Sequence, residues 1–319
     1  MQKILLVKTS SLGDVVHNLP VVSDIAAAFP GCAVDWVVED AFAAIPRLHP
    51  GVRRVIPVGL RRWRKDWLAE ATRREIRDAR EQFREEHYDR VVDTQGLLKS
   101  ALLARWARGP ICGCNWDTAR EKLASLFYDR RVRLDRSRHA VERNRMIAAQ
   151  CLGYEISAPA RYGISAPRRE LSWLPWRRYA VLLHATSRAD KLWPEQDWVT
   201  LGERLLRGGL GLVLPWGGEA ERARSDRIAG RLPGAVIPPR LGLEDVAALL
   251  GGATAVAGVD TGLSHLAAAL SVPIVGIYCA TDPASTGVHG PTAVNLGGTG
   301  RPPGPDEVAA ALARNGIAL

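Results

Sequence analysis

The 319 residues are 47% hydrophobic and carry 43 Lys and Arg against 34 Asp and Glu, a formal net charge of +9 at pH 7. That length supports a substantial core and suits two domains better than one, and no apolar run approaches the roughly 20 residues needed to cross a bilayer. The first apolar run, Ile4 to Val7, stops at Lys8 and is too short for a secretory signal peptide. Five cysteines are scattered along the chain; only Cys112 and Cys114 are close, and no second pair completes a zinc site. The expectation is a set of reduced thiols in a cytosolic protein. The charge is uneven: residues 1–160 hold 27 Lys and Arg against 20 Asp and Glu. A basic half suits nucleic acid, an acidic membrane surface or a phosphorylated substrate, or is simply a soluble surface.

In chain order, residues 4–7 read as a strand, 15–29 as a helix closed by Pro30-Gly31, 33–38 and 52–58 as strands, and 69–86 as a charged helix. A short buried strand at 90–93 and a helix at 97–108 follow. The proline-bearing, aperiodic stretch 156–178 is the place for a linker. The alternation then restarts, with strands at 179–183, 211–214, 235–237, 255–259 and 274–278. Helices are expected at 196–207, 220–231, 243–250, 263–270 and 306–315. Continuous apolar strands alternating with helices predict an α/β fold of two doubly wound parallel sheets. The expected domains are 1–160 and 179–319, joined by 161–178. They would face a cleft, with ligands at the carboxyl ends of the strands.

Four strand-end loops carry candidate chemistry. The first is TSSLGD, residues 9–14: Ser10, Ser11 and Gly13 can hold polar ligand groups at a helix start. Asp14 is either a helix cap or a general base. The stretch contains neither G-x-G-x-x-G nor a Walker A sequence. The second, HATSRADKLWP, offers the hydroxyls of Thr186 and Ser187 and the charge of Lys191, suited to phosphate. The third, PWGGEAE, brings backbone close to a ligand and places Glu219 or Glu221 for ribose hydroxyls. The fourth, VDTGLSHL, caps a helix with Asp260, points the Thr261 and Gly262 amides at an anion, and adds His265. The cluster RRWRK, with Arg61, Arg62, Arg64 and Lys65, is either a solvated face or a dock for an acidic phosphorylated acceptor. Lys99, Arg120, His139 and Arg143 extend it. Trp63 and Trp67 beside it suit a membrane interface.

Taken together, KTSSLGDVVHNLP, DWVVED, RRWRKDW, DTQGLLKSA, LHATSRADKLWP, LPWGGEAER and VDTGLSHLAAAL resemble the bacterial lipopolysaccharide heptosyltransferases. The resemblance is greatest to those that add the first heptose of the inner core, and runs from the first strand to about Asp282. It implies a GT-B fold of two Rossmann-like domains, with the acceptor bound by the N-terminal one and the nucleotide sugar by the C-terminal one. The last helix of many such proteins returns to the first domain, and the sequence leaves its position here open. The implied reaction is inverting transfer of L-glycero-D-manno-heptose from ADP-heptose to Kdo of Kdo-lipid A, a glycosyltransferase activity of lipopolysaccharide synthesis.

Asp14 is then the base. Thr186, Ser187, Lys191, Asp260, Thr261, Gly262 and His265 are donor contacts, with Glu219 preferred over Glu221 at the ribose. Ser10, Ser11, Gly13, Arg61, Arg62, Arg64, Lys65, Lys99, Arg120, His139 and Arg143 face the acceptor. No cofactor or metal is expected; the chain has no Asp-x-Asp pair. The expected location is the cytoplasmic face of the inner membrane, peripherally bound. A later-acting heptosyltransferase or a nucleotide-sugar epimerase of similar fold are the alternatives. A nucleic-acid-binding protein would also use the positive charge, yet no aromatic-basic recognition motif accompanies it.

Overall fold

The computed structural model describes residues 2–318, in two compact units that divide between residues 164 and 165. In the first unit the chain runs β1 (Lys3–Val7), α1 (Leu12–Val16), α2 (Leu19–Ala28), β2 (Ala33–Glu39), α3 (Ala44–Arg47), β3 (Val52–Val58), α4 (Leu60–Trp63) and α5 (Glu70–Arg84). It continues through β4 (Arg90–Asp93), α6 (Leu98–Ala104), β5 (Ile111–Cys114), a 3-10 helix (Lys122–Phe127), β6 (Arg130–Val132) and α7 (Ala140–Leu152). The six strands form one parallel sheet ordered β3-β2-β1-β4-β5-β6. Such a sheet needs both faces covered, and Ile4 through Val7 accordingly have no exposure at all. The strand order reverses between β1 and β4, so the loops leaving these two strands diverge and open a crevice at their carboxyl ends.

The second unit contains β7 (Tyr179–Leu183), α8 (Glu195–Arg207), β8 (Gly211–Val213), α9 (Glu219–Ala229), α10 (Leu243–Gly251) and β9 (Ala255–Val259). Then come α11 (Gly262–Ala269), β10 (Ile274–Tyr278), α12 (Pro283–Thr286), β11 (Ala293–Gly297) and α13 (Pro305–Arg314). Its five parallel strands are ordered β11-β10-β9-β7-β8, and the reversal lies between β7 and β9. Trp193 and Trp198, both fully buried, meet edge to face at 5.0 Å and anchor α8 to the core. Trp193 also donates to the Pro303 carbonyl at 2.9 Å, fastening the tail.

Several expectations change. The helix foreseen at 15–29 is two helices, because Pro20 lacks the N–H and collides with the preceding turn of a continuous helix; it sits instead in the first turn of α2. The strands β5, β6 and β11 and the helix α7 escaped the sequence reading. β5 is four residues with Gly113 among two cysteines, and β6 is three residues rich in arginine. The strand foreseen at 235–237 reduces to one bridge from Val236 to Val213, since Pro238 and Pro239 offer no further N–H. The closing helix α13 packs on α8, β10 and β11, within its own unit. The cysteines are not all thiols: Cys112 and Cys151 form a disulfide with their Cα atoms 5.7 Å apart. Their separation of 39 residues hides the pairing, which depends on α7 packing across β5. Trp63, expected at an interface, is 6% exposed and donates to Glu75 Oε2 at 2.8 Å.

Residues expected to form a linker are irregular and largely exposed, and touch the units at separate points. Arg145 donates to the Ala158 carbonyl at 2.7 Å, and Gly163 lies closely against Ser23 and His49 with a φ of +67°, which a side chain would strain. Beyond residue 164, Ala166 packs on Gly251, Arg169 pairs with Glu244 and Asp245, and Trp176 covers Gly211.

Candidate active site

The crevice of the first sheet is built by the loops after β1 and β4. Thr9 and Ser10 donate their backbone N–H groups to Gln95 Oε1, at 3.1 and 3.3 Å. Gly96, at φ +68°, turns the second loop back under the first. Asp14, in the first turn of α1, accepts from the Ser11 N–H at 3.0 Å and the Ser11 hydroxyl at 3.3 Å. Arg120 lies 3.7 Å away. All three contacts fall on Oδ2, and the side chain is 29% exposed. Burial resists ionisation of Asp14, but Lys8, the Ser11 bonds and Arg120 outweigh it and hold the carboxyl below its ordinary value.

Lys8 is 5% exposed and donates to the Thr94 carbonyl at 2.9 Å and to Asn144 Oδ1 of α7 at 3.1 Å. Burial lowers its pKa, with Asp14 and Asp93 opposing. Asp93 in turn is fully buried; burial raises its pKa although Tyr128, Ser100 and the Gly96 and Gln95 amides all donate to it. Lys99 of α6 donates to Ser10 Oγ at 3.2 Å, and with Leu60, Arg61, Trp63, Arg64, Trp67 and Ile76 it lines an open groove of about 540 Å3.

In the second sheet the reversal joins the loops after β7 and β9. Asp260 gathers them. Its Oδ2 accepts from Lys191 Nζ at 2.6 Å and Thr281 Oγ1 at 2.8 Å, its Oδ1 faces His265 Nε2 at 3.8 Å, and its carbonyl accepts from Thr186 Oγ1 at 3.1 Å. Burial disfavours this carboxylate, yet His265, Lys191 and Thr281 together hold it far below the ordinary range. The N-cap position of α11 is Thr261 rather than the expected Asp260, because the Asp260 side chain is taken up by Lys191 and Thr281; no Thr261 side-chain bond closes the helix end, so its first amides open toward the same loops. His184, at the start of the β7 loop, is buried against Ser225 at 2.8 Å. Burial and then Arg224 push its imidazole down to about 4.

A model of glycosyltransferase family 9 (heptosyltransferase) matches residues 76–316. The chain belongs to this heptosyltransferase family. It is 47% identical over 298 residues to lipopolysaccharide heptosyltransferase 1 of Pseudomonas aeruginosa, covering 92% of this chain and 83% of that protein. The solved structure of Escherichia coli heptosyltransferase WaaC with ADP superposes with a TM-score of 0.91 at 43% identity, covering 98% of this chain and all of that one. The same E. coli protein with ADP-2-deoxy-2-fluoro heptose gives 0.85 at 42% identity, covering 99% of each chain. The two Rossmann-like sheets are therefore those of a GT-B glycosyltransferase.

Within this heptosyltransferase, Ser10, Ser11, Gly13, Asp14, Lys99 and Arg120 gather at one crevice, and Arg143 acts on Asp14 electrostatically from α7. Arg61 and Arg64 reach the adjoining groove. Arg62 instead pairs with Asp40 at 2.5 Å and Glu75 at 2.7 Å, and Lys65 is exposed outside the groove lining. His139 caps α7, accepting from Val141 N–H, with its ring against His17. Thr186, Lys191, Asp260 and His265 converge in the second unit, where Ser187 is exposed. Glu221 accepts from the Gly217 N–H at 2.7 Å, whereas Glu219 is exposed at the start of α9. Lys8, Gln95, Asn144 and Thr281 were missed. Lys8 had a visible signal, a cation ending a buried strand; the other three are brought in by the fold.

Proposed function

We propose that the chain transfers L-glycero-D-manno-heptose from ADP-heptose to a Kdo residue of Kdo-lipid A, with inversion, in lipopolysaccharide inner-core synthesis. The observation that carries the chemistry is Asp14, an ionised carboxylate whose contacts with Ser11 and Arg120 lie on one oxygen. Oδ1 takes the proton of the acceptor hydroxyl as that oxygen bonds to the anomeric carbon. The bond from that carbon to the diphosphate breaks, and ADP carries off the electron pair. A depressed pKa suits this role in one respect, since the base stays unprotonated at neutral pH.

Lys191, the Thr186 and Ser187 hydroxyls and the Thr261-Gly262 amides meet the charge that grows on the diphosphate. His265 and Asp260 hold that set in place. Glu219 takes the ribose hydroxyls, because Glu221 is engaged at Gly217. No step in this scheme passes through a metal. Kdo is a carboxylate sugar, and Arg61, Arg64, Lys99, Arg120 and Arg143 suit it and the lipid A phosphates. A lipid-linked acceptor places the enzyme peripherally at the inner face of the inner membrane; no helix among the described residues is long and apolar enough to cross one.

The test is ADP release from ADP-L-glycero-D-manno-heptose with and without Kdo-lipid A. Release should require the acceptor and fall by about 10²–10⁴ in folded Asp14→Asn. Unchanged release in the variant removes Asp14 as the base, and no release from the unsubstituted chain removes the substrate assignment.

A further inference from the structure

Six large hydrophobic side chains are strongly exposed among the described residues: Trp67, Leu68, Leu102, Trp116, Leu123 and Leu126, at 44–64%. All six belong to the first unit, which also carries most of the excess positive charge. Five of them connect through local geometry. Leu123 and Leu126 are three apart on a 3-10 helix and share a face. That helix packs against α6, where Leu102 stands one turn beyond Lys99. Lys99 and Trp67 line the same groove, and Leu68 adjoins Trp67. Lys122 starts the 3-10 helix, Arg105 ends α6 at 3.7 Å from Asp129, and Arg61 and Arg64 line the groove.

We propose that this face, Trp67, Leu68, Leu102, Leu123 and Leu126 with its rim of cations, seats the enzyme on an anionic phospholipid bilayer. The inference deepens the proposed function and rests on its lipid-linked acceptor. The apolar side chains enter the boundary between headgroups and acyl chains, and the cations meet phosphates at the surface. A second copy of the chain is a poor occupant, because two such faces would oppose cation to cation. The position also matters. Lys99 ties the face to Ser10, four residues from Asp14, so a sugar reaching the base keeps its acyl anchor in the layer that holds the enzyme.

The experiment is sedimentation of the full chain with phosphatidylcholine vesicles, with and without phosphatidylglycerol, in the absence of both substrates. The unsubstituted protein should bind the anionic vesicles and leave the neutral ones. The double variant Leu123→Ser/Leu126→Ser should lose at least about tenfold in vesicle affinity. Leu68→Ser, on the opposite side of the face, should weaken binding in the same sense and guards against a folding defect in the pair. Transfer to a water-soluble, deacylated Kdo acceptor should be unchanged in both variants. Equal binding by all three proteins overturns the proposal, as does absence of binding by the unsubstituted chain. A concentration-dependent dimer that the leucine variants dissolve overturns it in favour of self-association. Vesicle binding is read without turnover, so failure of the transfer assignment leaves it a separate result.

Discussion

Each sheet places a lysine and an aspartate at its reversal point, and the two pairs are turned opposite ways. In the first unit the lysine is the hidden member: Lys8 is 5% exposed, while the Asp14 side chain is 29% exposed. In the second, Asp260 is the deeper member at 10%, and Lys191 stands above it at 18%. One crevice therefore presents an anion backed by a cation, and the other a cation backed by an anion. The first arrangement suits removal of a proton, and the second suits a diphosphate. In the proposed function the same α/β framework serves two chemistries, set by which charge is left on top.

The largest expected effect comes from removing the buried partner in the second unit. Asp260→Ala leaves Lys191 without its counter-charge and Thr281 without its acceptor, and should cost about 3 kcal/mol of stability together with weaker ADP binding. Chemical denaturation and calorimetric titration of ADP would read both, and an unperturbed ADP affinity would break the comparison. Next is His184, which lies buried beside this crevice with its pKa pushed down to about 4. A depressed folded value means stability is complete above the ordinary value near 6.5 and is lost as pH falls toward 4. Melting temperature should decline between pH 7 and 5, by about 2 kcal/mol of stability from this group, and less steeply in His184→Gln.

In the first unit, Lys8→Met removes the cation under Asp14. Asp14 should then protonate at higher pH, moving the acid limb of kcat/KM upward, because Lys8 is the largest influence holding the carboxyl down. A loss of rate with an unmoved acid limb would reduce Lys8 to a packing role. The smallest effect belongs to Arg62, outside both crevices. Its ion pairs with Asp40 and Glu75 are exposed, so Arg62→Ala should change stability by less than about 1 kcal/mol and leave the pH profile alone.

The two crevices were legible in the sequence because their residues lie in short blocks directly after apolar strands. Asp14 follows the run ending at Val7, and Asp260 follows the run ending at Val259. The sheets were legible for the same reason, wherever strands were continuous apolar runs. Illegible were the elements made by their surroundings: β6 is an arginine-rich edge strand, and Gly113 in β5 is covered by Tyr128. Illegible too were partners that arrive from afar. Asn144 reaches Lys8 across 136 residues, and nothing local in α7 marks it for that task. A list of positions also does not say whether Arg62 turns toward the groove or toward Glu75.

The chain between the two units looks in sequence like a tether, rich in proline and without period. In the structure its first part is fastened by Arg145 and by the close fit of Gly163 against His49, and its second part by Ala166, Arg169 and Trp176. These contacts fall at intervals along an otherwise irregular and largely exposed run. Proteases that separate two-domain proteins do so by drawing a run of loose chain into their active sites. Here such a run is interrupted at Ala158, Gly163, Ala166, Arg169 and Trp176, so a protease that needs a long loose stretch has to release at least one of these contacts first.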